Sequence, residues 1–279
     1  ETASKPYDGT PLTRPNVKVE GNFVDGEVTK VEATGSVTYV SDGEVTNTIV
    51  ITEGENFKES NYSITKHEGI LSITKVNAEV TVTIKGHEDS VTYDGNPHSV
   101  EGYVITNISN KLYKADYIGV KGYARAGGTA AGTYHMNLTA QQFSNTSASF
   151  DNVTFKVEDG SLTINPKSIT PDGPDTPEEK KTGITVTAPE GSKYDGEEHK
   201  NKPTVTDTKT GKVLVEGTDY ELTYSEDVIN AGTVTVTVKG IGNYEGSFEV
   251  TYEITKRDVT LTSGSASRVY NKEALTNKE

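Results

Sequence analysis

Four times along the chain a tyrosine stands directly before a two-residue turn signal. The copies are KPYDGTPL at Lys5 to Leu12, VTYDGNPHSV at Val91 to Val100, SKYDGEEHK at Ser192 to Lys200 and RVYNKEAL at Arg268 to Leu275. A segment that recurs at intervals like these marks a serial architecture, in which one small supersecondary unit is used again and again. In the last three copies a β-branched alternating segment comes first: Val80 to Lys85 (VTVTIK), Ile184 to Ala188 (ITVTA) and Val259 to Thr262 (VTLT). Alternation, then a turn, then more alternation is the pattern of strand, turn, strand. The glycine of each Asp-Gly accepts a positive φ without steric cost, and the aspartate hydrogen-bonds its own following backbone. The tyrosine ring is expected to lie on the sheet, with its hydroxyl tying a loop. Packing, rather than a row of ligand contacts, is the role assigned to Tyr7, Tyr93 and Tyr194.

A second landmark, Ala-Gly-Thr, occurs at Ala131-Gly132-Thr133 and Ala231-Gly232-Thr233, each before an alternating segment and at nearly the same distance from the preceding turn glycine (132 − 95 = 37; 232 − 196 = 36). Short alternating stretches also close each repeat: Gly69 to Lys75 (GILSITK), Gly160 to Pro166 (GSLTINP) and Phe248 to Lys256 (FEVTYEITK). Two of them run almost directly into the next opening strand, which predicts stiff joints and a semi-rigid rod. The stretch 165–182 differs, with four prolines and mixed charge, and reads as an extended linker. These boundaries predict modules at 1–75, 76–168 and 182–257, a Pro-rich linker at 169–181, and the opening strand and turn of a further module at 258–279. The first module reaches its turn after Glu1 to Tyr7, too short and polar a segment for the alternating opening strand of the others. The fold class expected is all-β: tandem small β-sandwich (Ig-like) or β-grasp-like modules. Two short stretches, Leu112 to Tyr117 and Ala140 to Asn145, are weakly helical, and neither is long enough to build a helix layer.

Composition narrows the function classes. Lys and Arg total 27 against 41 Asp and Glu, a formal net charge of −14, which argues against nucleic acid as a partner. With no cysteine, the chain has no disulfide, no thiolate nucleophile and no cysteine-based zinc site. No apolar run approaches the roughly eighteen residues of a membrane span, so no membrane insertion is expected. The histidines, His67, His87, His98, His135 and His199, are dispersed and lack metal-ligand spacing, and no carboxylate pair is singled out for acid–base work. No spaced Asp/Asn loop suggests calcium, and no phosphate loop, nucleophile elbow or metalloprotease helix is present. No catalytic residue, metal or cofactor is therefore assigned. The Asn-x-Ser/Thr triplets at Asn61, Asn107, Asn137, Asn145 and Asn152 reflect a strand surface rich in Thr, Ser and Asn.

The three YDG turns, the run EGTDYELTYSEDVINAGTVTVTVKGIGNYEGSFEVTYEIT and the pair NYSIT…GILSIT together resemble the YDG and MBG-type repeats of Gram-positive bacterial surface proteins. The fourth copy departs from them, with Asn271-Lys272 in place of Asp-Gly. The resemblance implies an extracellular, cell-wall or cell-surface location and a non-catalytic stalk or adhesin. It also implies that intramolecular Lys–Asn cross-links could replace disulfides. Partners would be an extracellular protein or a host glycan. Two alternatives accompany this reading: a glycan- or mucin-binding module, and an accessory region of a larger secreted enzyme. For the glycan reading the candidate contacts are Tyr103, Tyr113, Tyr117, Tyr123 and Tyr134, the densest tyrosine set of the chain. Because Val259 to Ala266 reads as an opening strand without a body, strand exchange through 258–279 with the first module of a neighbouring chain is a further expectation.

Overall fold

The computed structural model describes residues 1–276. It is all-β; among the described residues helix is confined to five one-turn 3-10 segments. Two of these, Ala115–Tyr117 and Ala140–Gln142, fall in the weakly helical stretches. A single turn does not overcome the unfavourable nucleation of a helix without help. At Ala140–Gln142 the help is local: the Thr139 N–H donates to the Gln142 side chain at 2.8 Å, and the Gln142 N–H donates back to the Thr139 carbonyl at 3.1 Å.

The chain divides into two compact units. The first holds Glu1–Asp89, His98–Gly128 and Thr133–Leu162; the second holds Ser90–Pro97, Thr129–Gly132 and the chain from Thr163 onward. At the heart of the first unit is the strand Val80–Gly86. Its alternation puts Val80, Val82 and Ile84 at 0 % exposure, each burial contributing about 1.5–3 kcal/mol. One neighbour, Tyr103–Ile108, runs antiparallel with Ile105 opposite Ile84 and a bulge before Asn107. The other, Val153–Glu158, runs parallel, with Phe155 opposite Val82. A parallel pair cannot be a hairpin, so the intervening chain must cross over. That chain forms the antiparallel pairs His98–Glu101 with Arg125–Gly128 and Ile118–Val120 with Phe143–Asn145.

The preceding stretch of the same unit repeats part of this plan. Ala3–Pro6 runs parallel to Gly69–Thr74, which pairs antiparallel with Val45–Asn47. Leu12–Thr13 pairs with Ser36–Val37, and Val28–Ala33 with Ile49–Glu53. The polar segment before Tyr7 forms a short strand on Gly69–Thr74, in the place that Glu88–Thr92 holds before Tyr93 and not in that of the alternating strand Val80–Gly86. Asn47, 1 % exposed, is satisfied by accepting the Gly35 N–H at 2.9 Å and donating to the Arg14 carbonyl at 2.8 Å. Gly35 is required there, because a Cβ would meet the Asn47 backbone at 2.7 Å.

In the second unit, Gly232–Gly240 pairs antiparallel with both Tyr220–Tyr224 and Ser247–Thr255, and Ser192–Lys193 joins the far edge of Ser247–Thr255 in parallel. A second sheet is formed by Ile184–Thr187, Thr204–Asp207 and Lys212–Val213. The Lys209-Thr210-Gly211 turn joins the last two of these strands, and Asn230-Ala231-Gly232 leads into Gly232–Gly240. Between the sheets lies a core of Ile169, Ile184, Val205, Leu214, Tyr220, Val238 and Tyr244. The Pro-rich stretch doubles back instead of extending. Ile169 is fully buried, and the Asp172 carboxylate takes the N–H groups of Thr182 and Gly183, both at 2.7 Å.

Candidate functional site

The recurrent tyrosine turns have one geometry. The backbone N–H groups of Tyr7, Tyr93 and Tyr194 each donate, at 2.9 Å, to a carbonyl of a closing strand: Thr74, Asn165 and Thr255 respectively. The next residue then accepts the N–H two positions on, Asp8 from Thr10 at 2.9 Å, Asp94 from Asn96 at 2.9 Å and Asp195 from Glu197 at 3.0 Å. Asn271 makes the same bond to Glu273 at 3.1 Å. The glycines follow at φ +81° for Gly9, +81° for Gly95 and +91° for Gly196. Lys272 adopts φ 68° without being glycine, so the departing fourth copy keeps the turn. An asparagine carbonyl serves the Asx bond as well as a carboxylate does, and it tolerates the same backbone.

Charge is placed to match. Salt-bridging and hydrogen bonding by Lys5, with further bonds from Thr10, hold the Asp8 carboxyl far below the usual carboxylate range. The Glu197 N–H, followed by His199, likewise lowers Asp195. The rings differ in cover. Tyr7 packs edge-on against Phe150 with centroids 5.9 Å apart and stacks on Tyr39, while Tyr93 packs edge-on against Tyr244 at 5.7 Å. Tyr194 is 38 % exposed and has no aromatic neighbour among the described residues. Burial, then a hydrogen bond with Tyr117, pushes the Tyr7 hydroxyl up to about 12.

The five candidate glycan contacts do not converge. Tyr113 is 2 % exposed, its hydroxyl donating toward the Tyr117 carbonyl at 3.0 Å and the Asn145 side chain at 3.1 Å, and burial pushes it up to about 12. Tyr117 lies beside it, centroids 5.6 Å apart, and both rings face Phe150. Tyr103 is half-buried and packs edge-on against Phe143. Tyr134 is half-buried over Gly128, where a Cβ would meet its ring. Tyr123 alone of the five stands in solvent, at 91 % exposure.

The most heavily buried ionic group was not legible in the sequence. The Lys167 ammonium bonds both oxygens of Asp207 at 2.7 Å, at 6 % and 0 % side-chain exposure. The same carboxylate accepts the Tyr244 hydroxyl at 3.1 Å and the N–H groups of Lys209 at 3.0 Å and Thr210 at 3.3 Å. Burial, then the charge of Asp207, raises the Tyr244 hydroxyl. With every oxygen satisfied, this group is a tie between Lys167, just past the closing stretch, and the end of the strand Thr204–Asp207. Lys167 sits among prolines and charges, where a lysine is usually solvated, so nothing in the pattern marked it. A smaller tie joins Lys212 to the buried Asp219 at 2.8 Å, and Asp219 also accepts the Val215 N–H at 2.9 Å. Among the described residues no group of three His, Asp or Glu side chains gathers where a metal ion would sit.

The stretch built on Val80–Gly86, from its crossover to its closing strand, is where a match to a known family is found. Residues 80–166 match the MBG domain. No curated protein and no solved structure matches the chain. The MBG domain thus covers the buried central strand, both its neighbours and the closing strand Ser161–Asn165. Four of its five candidate tyrosines serve its interior, and the fifth, Tyr123, lies at its surface.

Proposed function

We propose that the chain is a non-catalytic extracellular repeat region, a stalk or adhesin of a bacterial cell-surface protein. The observation that carries this reading is the threefold anchoring of a tyrosine turn to a closing strand, with aspartate, glycine and backbone all committed to shape. The MBG match over 80–166 supports a domain of this extracellular repeat type. The buried polar groups Asn47, Asp207 and Asp219 are taken up by internal partners, which fits a role under mechanical tension. Pulling on single molecules of the intact chain tests it. A stalk gives discrete, reproducible unfolding steps at forces well above those of a relaxed linker, whereas a featureless extension at low force contradicts it.

A glycan-binding reading is favoured by one observation, the full exposure of Tyr123 on the MBG domain. A glycan array on the intact chain and on Tyr123→Ala separates the two. Binding that Tyr123→Ala removes establishes a lectin-like module, and an array blank for both leaves the stalk.

A further inference from the structure

We infer that the loop 121–125 of the MBG domain is a binding site for a carboxylated sugar, the sialic or uronic acid of a glycan. The inference rests on the glycan-binding reading of Tyr123 and adds the class of sugar and the side chains that select it. A lone exposed tyrosine needs no explanation. What sets this one apart is the loop that carries it and the charge on either side.

The loop leaves the strand Ile118–Val120 and runs into the strand Arg125–Gly128. Backbone hydrogen bonds fix both of its ends. The Lys121 N–H donates to the Gln142 carbonyl at 2.8 Å, and the Ala124 carbonyl accepts the Gly102 N–H at 2.8 Å. Between these anchors Gly122 turns the chain at φ +81°, where a residue with a side chain would be strained. Tyr123 therefore projects from a short, doubly held turn, and at 91 % exposure its ring is open to solvent. A ring held in this way gives up little further loop entropy when a ligand stacks on it. The electron-rich face of a phenol ring suits the C–H bonds that line one face of a pyranose.

Lys121 and Arg125 stand two residues to either side of that ring. Arg125 Nε lies 3.0 Å from Oε1 of Glu101, its cross-strand neighbour, which orients the guanidinium and leaves its terminal amino groups without a partner among the described residues. Such a fork takes a carboxylate through two parallel hydrogen bonds. The pair with Glu101 is exposed on both sides, at 61 % and 62 %, so its own attraction is weak and does not use up the guanidinium. Lys121 is exposed and has no acid partner among the described residues. The surrounding sequence leans the same way. From Gly102 to Phe150 the one acid is Asp116, against Lys111, Lys114, Lys121 and Arg125, in a chain whose net charge is −14. An anionic ligand is repelled by most of such a chain, and this stretch relieves the repulsion. A neutral sugar would use the ring and leave the two cations idle; a carboxylated sugar uses all three.

The site is open rather than concave, so a single contact is weak and saturation-transfer NMR on the intact chain suits it. The probes are sialyllactose and glucuronic acid, with lactose and glucose as their neutral counterparts and a thymidine oligonucleotide as a non-sugar anion. We expect transfer to at least one acidic sugar and little to its neutral counterpart. Tyr123→Ala should abolish the transfer and Tyr123→Phe should keep it, because stacking uses the ring and not the hydroxyl. Loss of the charged hydrogen bonds in Arg125→Ala should weaken binding by about tenfold or more, with Arg125→Lys in between. These side chains are exposed, so urea denaturation of each variant should match the parent. Equal transfer to acidic and neutral sugars, still removed by Tyr123→Ala, overturns the choice of sugar and leaves the glycan-binding reading standing. An equal response to the oligonucleotide, or binding that survives Tyr123→Ala and vanishes in salt, marks general attraction of anions and overturns the site. Silence with all four sugars overturns the inference, and a blank glycan array then removes the reading beneath it as well.

Discussion

The turn aspartates and glycines do different jobs, and substitution separates them. Gly196 has φ +91° and no atom within 4 Å of the point a Cβ would occupy, so Gly196→Ala meets only backbone strain. We predict a loss of about 1–2 kcal/mol in urea denaturation, the cost of holding an L-residue left-handed. The buried tie behaves differently. Lys167→Met leaves Asp207 uncompensated in the interior and should cost about 3–5 kcal/mol, far more than removal of an exposed pair such as Lys18–Glu20. Titration has two edges. Asp8, Asp172, Asp195 and Asp227 are all lowered in the folded chain, so their contribution is present above the ordinary carboxylate range and is lost as pH falls through their folded values. Tyr7 and Tyr113 are raised to about 12, so their contribution is intact below pH about 10 and is lost as pH rises toward 12. Phenolate absorbance should therefore show Tyr7 and Tyr113 ionising only with unfolding. A single early transition for all fifteen would contradict it.

At the scale of elements, Val80–Gly86 and the Tyr62–His67 segment are the instructive pair. Ile84→Ala should cost about 2–5 kcal/mol because the site is closed on all sides, while Ile64→Ala at a half-buried site should cost much less. Chemical denaturation of both variants measures the difference. The alternation of Val80 to Lys85, the Asp-Gly turns and the alternating segment after Ala231-Gly232-Thr233 are local, period-two or single-residue signals, and they placed strands and turns correctly. Which strands neighbour one another is not local. The parallel pairing of Val80–Gly86 with Val153–Glu158, and of Ala3–Pro6 with Gly69–Thr74, joins segments too far apart for any periodicity to reveal. The same blindness hid the Lys167–Asp207 contact. Tyrosine density was equally misleading about exposure, since Tyr113 and Tyr123 look alike in sequence and differ from 2 % to 91 % in the fold.

For the whole molecule, charge bears on association. Each copy carries −14, so copies repel at low ionic strength and screening relaxes that repulsion. Sedimentation at low and moderate salt should show the repulsion weakening as salt rises. Through all three copies the tyrosine turns act as structural locks set on closing strands, and on that role the reading of the chain as a scaffold rests. Residue-resolved amide hydrogen exchange on dilute, monomeric chain tests it most directly. Strong protection is predicted at the Tyr7, Tyr93 and Tyr194 amides, comparable to that along Val80–Gly86, with fast exchange at 63–67. Fast exchange at the three tyrosines beside a protected Val80–Gly86 would contradict it.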